Sequence, residues 1–429
     1  MGFRRLTLPL GLALALACGA SEEAPAPAPP PKPAAKPAAP PAAAGLPAAP
    51  AAVADLPNGL MLALSAFGKT ADGKPLPRSE LVILTRTGGE WRATSLDDPD
   101  SNVFHKAMVY TPPGASPGIL TLGGTRAILK LWRPGEAGLE AETIWEDDFG
   151  GKWSRMRDAE VAPLFEDGAA SLAVATHDQG VVATVRPMGA DFVVERIDEE
   201  KDTFVHEIEV GDLDGDGTLE VYATPSEPNK LDGTPQPGKV VRYVPAVGEG
   251  RVVVADLGER HAKEILVSDV DGDGRDELYV SVEAVEGGDL EIRRYEAGTD
   301  PLGGEVIATL DDTMCRFLTA GDLDGDGQRE MVAAAKDTGL WLLRPRGAGA
   351  GWSVESIDRD SKGFEHAALL TDLDGDGVDE LYVSSDDDRE LRRYVFVDGG
   401  FAREVIYKRS DPSPIFTWNL MPVPVEILQ

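Results

Sequence analysis

Sixteen carboxylates recur in one spacing along this chain. Asp212, Asp214, Asp216 and Glu220 stand in "GDLDGDGTLEVYA", and the pattern returns three times. It reappears with Asp269, Asp271, Asp273 and Glu277; with Asp322, Asp324, Asp326 and Glu330; and with Asp372, Asp374, Asp376 and Glu380. Counted from the first Asp, the acids occupy positions 1, 3, 5 and 9 of each loop. Oxygen-only donors suit a hard cation, and Ca²⁺ accepts about six to eight oxygens in flexible geometry. Glycine at position 6 permits a sharp turn, and position 7 adds a backbone carbonyl. An EF-hand would need a bidentate Glu at position 12 and a helix on each side. Ala223, Val280, Ala333 and Val383 stand there instead, and strand-forming residues follow position 9. The expectation is up to four Ca²⁺, each in a loop joining strand to strand.

A second set lies six residues before position 1. It comprises His105, Arg157, His206, Lys263, Arg316 and His366, with Trp418 as the seventh member. Six of the seven are basic in a chain of formal charge −33.

The elements that must position both sets follow from the period. The first aspartates are 57, 53 and 50 residues apart. At that period "RDAEVAPLFEDGAASLAVAT" and "HKAMVYTPPGASPGILTLGG" are further copies without the acids, and "FTWNLMPVPVEILQ" is a further start. Short apolar runs bounded by Gly, Pro and Asp read as strands, about four per repeat. For one repeat they are expected at 206–211, 219–224, 239–244 and 251–257. The N-terminal part supplies only three strands ("GLMLALSA", "SELVILTR", "EWRATSL"), and the C-terminus supplies only a first one. One blade shared between the ends closes a ring and leaves no free edge. The fold class expected is therefore all-β, a seven-bladed propeller of four-stranded blades over residues 57–429. An open β-solenoid is the alternative, but it has no need of such a split repeat.

The first strand of a blade is the inner one. The second set then stands near the axis, roughly 20 Å from the acidic loops at the strand's other end. Two readings are open. One is a pocket for an anionic ligand such as a carboxylate, phosphate or acidic sugar. The other is structural pairing with acids of the loops that enter each inner strand: Asp97, Asp98, Asp147, Asp148, Asp198, Glu199 and Asp358. A transition-metal site is disfavoured, because His105, His206 and His366 come from alternate repeats. The insertion at 225–239 lies on the same face as this ring.

The acidic motif resembles the FG-GAP (VCBS-type) repeats of integrin α-subunit propellers and many exported bacterial proteins. The shared pattern is D-x-D-G-D-G-x-x-[DE] between the first two strands of a blade. The resemblance implies calcium on one rim of a seven-bladed propeller. This chain departs from it in carrying Glu at position 9, where integrins typically have Asp.

Residues 1–17 read as a signal peptide, with Arg4 and Arg5 before an apolar stretch too short for a stable membrane anchor. Ala15-Leu16-Ala17-Cys18 resembles a bacterial lipobox, which makes Cys18 the expected lipidation site; an ordinary secretory signal is the alternative. Residues 18–56 are almost entirely Ala and Pro, a tether of about 3.1 Å per residue. Gly19 after Cys18 points toward the outer membrane or cell surface by analogy with enteric sorting. Only Cys315 remains beyond Cys18, so the folded part has no internal disulfide. The net charge of −33 excludes nucleic acid as a partner for the surface as a whole. The expected function is that of a calcium-stabilised, monomeric binding or adhesion module of the cell envelope, without catalysis, its ligand a protein or glycan. The alternative is a propeller lyase or glycosidase acting on an acidic glycan.

Overall fold

The structure is a computed structural model. It describes residues 46–429 except 70–71, 73–74, 152–153, 178, 190, 228–233, 348–349 and 412. The expected signal peptide, Cys18 and most of the tether lie outside the described residues.

Seven four-stranded antiparallel sheets account for all the strands among the described residues. The first blade joins β1 (Asn58–Lys69), β2 (Pro75–Thr87) and β3 (Glu90–Leu96) to the last strand of the chain. The second holds β4 (Phe104–Tyr110), β5 (Gly118–Gly123), β6 (Ala127–Gly135) and β7 (Gly138–Asp147). The third holds β8 (Met156–Ala162), β9 (Ser171–Thr176), β10 (Val181–Met188) and β11 (Asp191–Glu199). The fourth holds β12 (Phe204–Gly211), β13 (Glu220–Ser226), β14 (Lys239–Val244) and β15 (Glu249–Asp256). The fifth holds β16 (Ala262–Ser268), β17 (Glu277–Val282), β18 (Leu290–Tyr295) and β19 (Glu305–Leu310). The sixth holds β20 (Cys315–Gly321), β21 (Glu330–Ala335), β22 (Gly339–Pro345) and β23 (Trp352–Asp358). The seventh holds β24 (Ala368–Thr371), β25 (Glu380–Ser385), β26 (Glu390–Val397) and β27 (Gly400–Lys408). Finally β28 (Ile415–Pro424) pairs with β1, from Asn58 opposite Pro424 to Ala66 opposite Ile415. The split blade read from the sequence is the closure observed.

The first strands touch in the order β4, β8, β12, β16, β20, β24, β28 and back to β4. They form the inner wall. An apolar cluster fills each gap between neighbouring blades: Leu120, Leu129 and Tyr110 meet Ala159, Val174 and Ala183 in one, and Tyr279 and Ile292 meet Met331 and Ala333 in another. The second strands β9, β13, β17, β21 and β25 are buried along their whole length. Covered on both faces, they read as continuous apolar runs rather than alternating ones.

Packing against the propeller reaches back to Leu46, before the expected boundary at Pro57. Carbonyls of the described Ala/Pro residues are taken up by the propeller, through arginine side chains and through the backbone amide of Arg403. Arg86 donates to the Val53 carbonyl at 2.8 Å and Arg393 to that of Pro50 at 2.9 Å. Ala48 bridges Arg403, and Leu46 packs against the cluster between the sixth and seventh blades.

Candidate functional site

Each acidic loop follows the end of an inner strand, and its first Asp organises it. In the fourth loop Asp372 Oδ1 accepts from Gly375 N (2.6 Å) and Asp376 N (3.2 Å), and Oδ2 from Gly377 N (2.8 Å). Gly375 and Gly377 have φ of +78° and +90°, so the turn needs glycine at positions 4 and 6. The other loops repeat this cradle.

Carboxylate oxygens lie within 4.8 Å of one another in four groups: Asp212, Asp214 and Asp216; Asp269, Asp271, Asp273 and Glu277; Asp322, Asp324 and Glu330; and Asp372, Asp374 and Asp376. Such clusters could hold a metal ion, and an oxygen-only donor set suits a hard one. Burial and the charges of Asp376 and Asp372 raise the pKa of Asp374, a repulsion that a cation would relieve.

Glu220, Asp326 and Glu380, expected as ligands, fall outside the convergent groups. Whether inside a group or outside it, each position-9 glutamate has a second partner that the sequence reading missed. All four are buried and bonded to an arginine of the third strand. Arg242 reaches Glu220 at 2.6 Å, Arg294 reaches Glu277 at 3.0 Å, Arg344 reaches Glu330 at 3.0 Å, and Arg393 reaches Glu380 at 2.8 Å. The other glutamate oxygen accepts from Tyr222, Tyr279 or Tyr382, or from the Leu323 amide at 2.9 Å. These glutamates thus brace the loop against its own blade. The signal was present, since the four arginines recur at intervals of 52, 50 and 49 residues.

At the other end of the inner strands the second set is assembled by β-bulges. His105 and Lys106 face one residue of β5, and His206 and Glu207 face one of β13. Extra residues recur at Arg157, Lys263, Arg316 and Trp418. Blade seven lacks the bulge; there β24 starts late and His366 takes φ +56°. A bulge re-aims a side chain that a regular ladder would point into the blade interface.

The reassembled residues are buried or, for Trp418, half-buried, and most are paired with neighbouring acids, carbonyls and hydroxyls. Arg316 lies 3.1 Å from Glu283 and 3.4 Å from Glu365; Arg157 lies 3.9 Å from Glu365 and over the Trp418 ring. Lys263 lies 3.0 Å from His261 and 3.8 Å from Glu283. His105 bonds the Met156 carbonyl, His366 bonds the Ala335 carbonyl and Ser361, and Trp418 donates to Ser65. His206 sits edge-on to His177, its Nε2 without a hydrogen-bond partner.

The acids paired with the ring are Glu283 and Glu365, not those named in the pairing reading. Asp98 bonds Lys130, Asp198 bonds Arg251, and Asp358 bonds Arg403 and Tyr394, all away from the axis. Glu283 follows the second strand β17, and Glu365 precedes the ring position by one residue, so a search confined to the loops between blades misses one and misaligns the other. Arg316, His261 and Lys263 hold Glu283 down to about 2 against the effect of burial. Burial, opposed by Glu283, brings Lys263 down to about 7, and burial beside Arg157 lowers His177 to about 2.

One step down the axis is an acidic layer that sequence reasoning also missed. Asp158, Glu160, Glu207, Glu209 and Glu264 line it, with Lys106 bonded to Asp158 and Glu160. Burial and mutual repulsion raise Glu207, Glu209 and Glu264 well above the usual carboxylate range. A raised carboxylate pKa means that the folded state holds the extra proton. The associated stability is present below about 4.5 and lost as pH rises through the folded-state value. Glu209→Gln is therefore expected to raise the melting temperature, by a margin that grows between about pH 5 and pH 8. Melting curves of both proteins across that range check this; a pH-independent difference would refute it.

Of the insertion at 225–239, residues 228–233 lie outside the described residues; its ends continue β13 and lead into β14, and Gln236 ties them together by bonding the Glu227 carbonyl. Beside it lies a cavity of about 390 Å³ lined by Glu200, Thr203, Gly238, Lys239 and Asp256 among others.

Fold and loops together define a seven-bladed β-propeller with acidic strand-to-strand loops on one rim. Within it, residues 322–383 match the family model described as an FG-GAP-like repeat, which spans the third and fourth loops. No curated protein matches the chain. Among solved structures it is similar to a Bacteroides fragilis protein provisionally described as a 6-phosphogluconolactonase. The two share 11% identity at a TM-score of 0.47, over 86% of this chain and 98% of that one. It is also similar to a chain of a nidogen/laminin complex, at 12% identity and a TM-score of 0.41, over 70% of this chain and 96% of that one.

Proposed function

We propose that the protein is a calcium-stabilised, non-catalytic binding module of the bacterial cell envelope, with a protein or glycan as its ligand. The observation that carries this reading is the convergence of acidic oxygens within 4.8 Å in four glycine-turned loops of one repeat type. Calcium there would supply charge neutralisation and a fixed corner between two strands. The residues that would hold it are the aspartates at positions 1, 3 and 5 of the first, second and fourth loops, with Glu277 added in the second, and Asp322, Asp324 and Glu330 in the third. Binding free energy at such loops is folding free energy for blades that each bury little alone.

The axial basic residues serve as internal struts in this reading. Arg157, Arg316 and Lys263 are committed to Glu283 and Glu365, which supports a scaffold over a lyase that needs a free cation for a uronate. Ligand then meets the ring-side face, where the 225–239 insertion and its cavity lie. Lipidation at Cys18 and the Ala/Pro tether would hold a monomeric propeller at the outer membrane or cell surface, and the charge of −33 keeps nucleic acid away. The test is a glycan and protein binding screen of residues 45–429 with calcium and with EDTA. Calcium-dependent capture of a ligand is expected. Release of unsaturated sugar from an acidic polysaccharide would replace this reading with the lyase.

A further inference from the structure

We infer that the four acidic loops work as two coupled pairs, with Asp276 and Asp379 as the positioning residues that join them. This rests on the calcium reading above. Asp276 occupies position 8 of the second loop, yet its Oδ2 accepts the amide of Asp212, the first residue of the loop in the preceding blade, at 2.9 Å. Asp379, position 8 of the fourth loop, does the same for Asp322 at 2.9 Å, and its own amide donates to the Asp322 carbonyl at 2.8 Å.

The residue before each bridged amide is glycine for a steric reason. A Cβ on Gly211 would stand 2.9 Å from Asp276 Oδ2 and 2.2 Å from Val267 Cγ1; one on Gly321 would stand 2.3 Å from Asp379 Oδ2. The loops that receive no such carboxylate carry Ser268 and Thr371 at this place. Position 8 of the third loop is Arg329, which bonds the Ala320 carbonyl of its own blade, so the second and third loops are not bridged this way. Loop contacts divide along the same line. A Cβ on Gly215 would touch Arg275 of the second loop, and one on Gly325 would meet Val378 of the fourth at 2.9 Å. At Gly272 and Gly375, the same position of the second and fourth loops, it would meet nothing within 4 Å.

Each bridge fixes the backbone of a position-1 aspartate, the residue that cradles its own loop. A metal that orders the second loop thereby orders Asp276, and through it the first loop; the fourth acts on the third through Asp379. Calcium should bind as two cooperative pairs with no coupling between them.

Calcium titration calorimetry on the full chain tests this, with melting curves in EDTA to confirm that each variant folds. Asp276→Ala is expected to weaken two of four sites roughly tenfold. Asp276→Asn, which keeps an acceptor oxygen, should restore most of that loss, and Asp379→Ala should weaken the other two sites. Four sites unaffected by Asp276→Ala, or all four weakened equally, would overturn the pairing. A wild-type chain that binds no calcium would remove the calcium reading and the pairing with it.

Discussion

Chelation with EDTA is expected to lower the melting temperature of the propeller by roughly 10 °C. A site that binds only the folded chain contributes about 2.7 kcal/mol when free ion exceeds its dissociation constant a hundredfold, so four contribute about 11 kcal/mol. Unfolding entropy near 2.1 cal/mol/K per residue makes each kcal/mol worth roughly 1 °C in a unit of this length. Like charges left in the emptied loops, such as Asp374 beside Asp372 and Asp376, act in the same direction. Asp322→Ala removes both a ligand and the organiser of its loop, and should reproduce about a quarter of the shift or more. Calorimetric melts with calcium, with EDTA and with calcium restored check this. A melt indifferent to EDTA would show that hydrophobic gaps alone hold the blades together.

The second large effect is expected at the axis. Glu365 is 1% exposed and faces two guanidiniums, Arg316 at 3.4 Å and Arg157 at 3.9 Å. Glu365→Ala leaves both positive charges buried without that counter-ion, at a cost of about 3–5 kcal/mol. The Ala variant also carrying Arg157→Met should recover much of this, because Arg316 then keeps Glu283 at 3.1 Å and removing both partners of a buried pair is far less costly than removing one. Urea unfolding of the single and double variants gives the comparison. A loss below about 1 kcal/mol for Glu365→Ala would mean that solvent or an anion reaches these guanidiniums, and would reopen the axial pocket as a ligand site.

The parts of this molecule that were legible in the sequence are those tied to the repeat. Blade number, closure by β28 and the rim of the acidic loops all follow from aligning four motifs and two degenerate copies. The ring at His105, Arg157, His206, Lys263, Arg316, His366 and Trp418 was legible as a register. Its environment was not, because Glu283 and Glu365 occur in single blades and have no counterparts to align. The bulges were also hidden: one extra residue leaves the repeat length unchanged when every inner strand but one carries it. Two features were readable and passed over. The third-strand arginines share the period, and glycine before the first Asp accompanies an Asp at position 8 of the next loop. Both require comparing positions across blades rather than reading along one.

The strand that completes the first blade comes last in the chain. Trp418 bonds Ser65 across 353 residues, and β1 has no partner on its axial side until Ile415–Pro424 arrive. During synthesis the earlier blades therefore form an unlatched crescent, with bare strand edges at the gap. The clasp shuts only once Ile415–Pro424 have been made, so ring closure is the last step of the fold rather than the first.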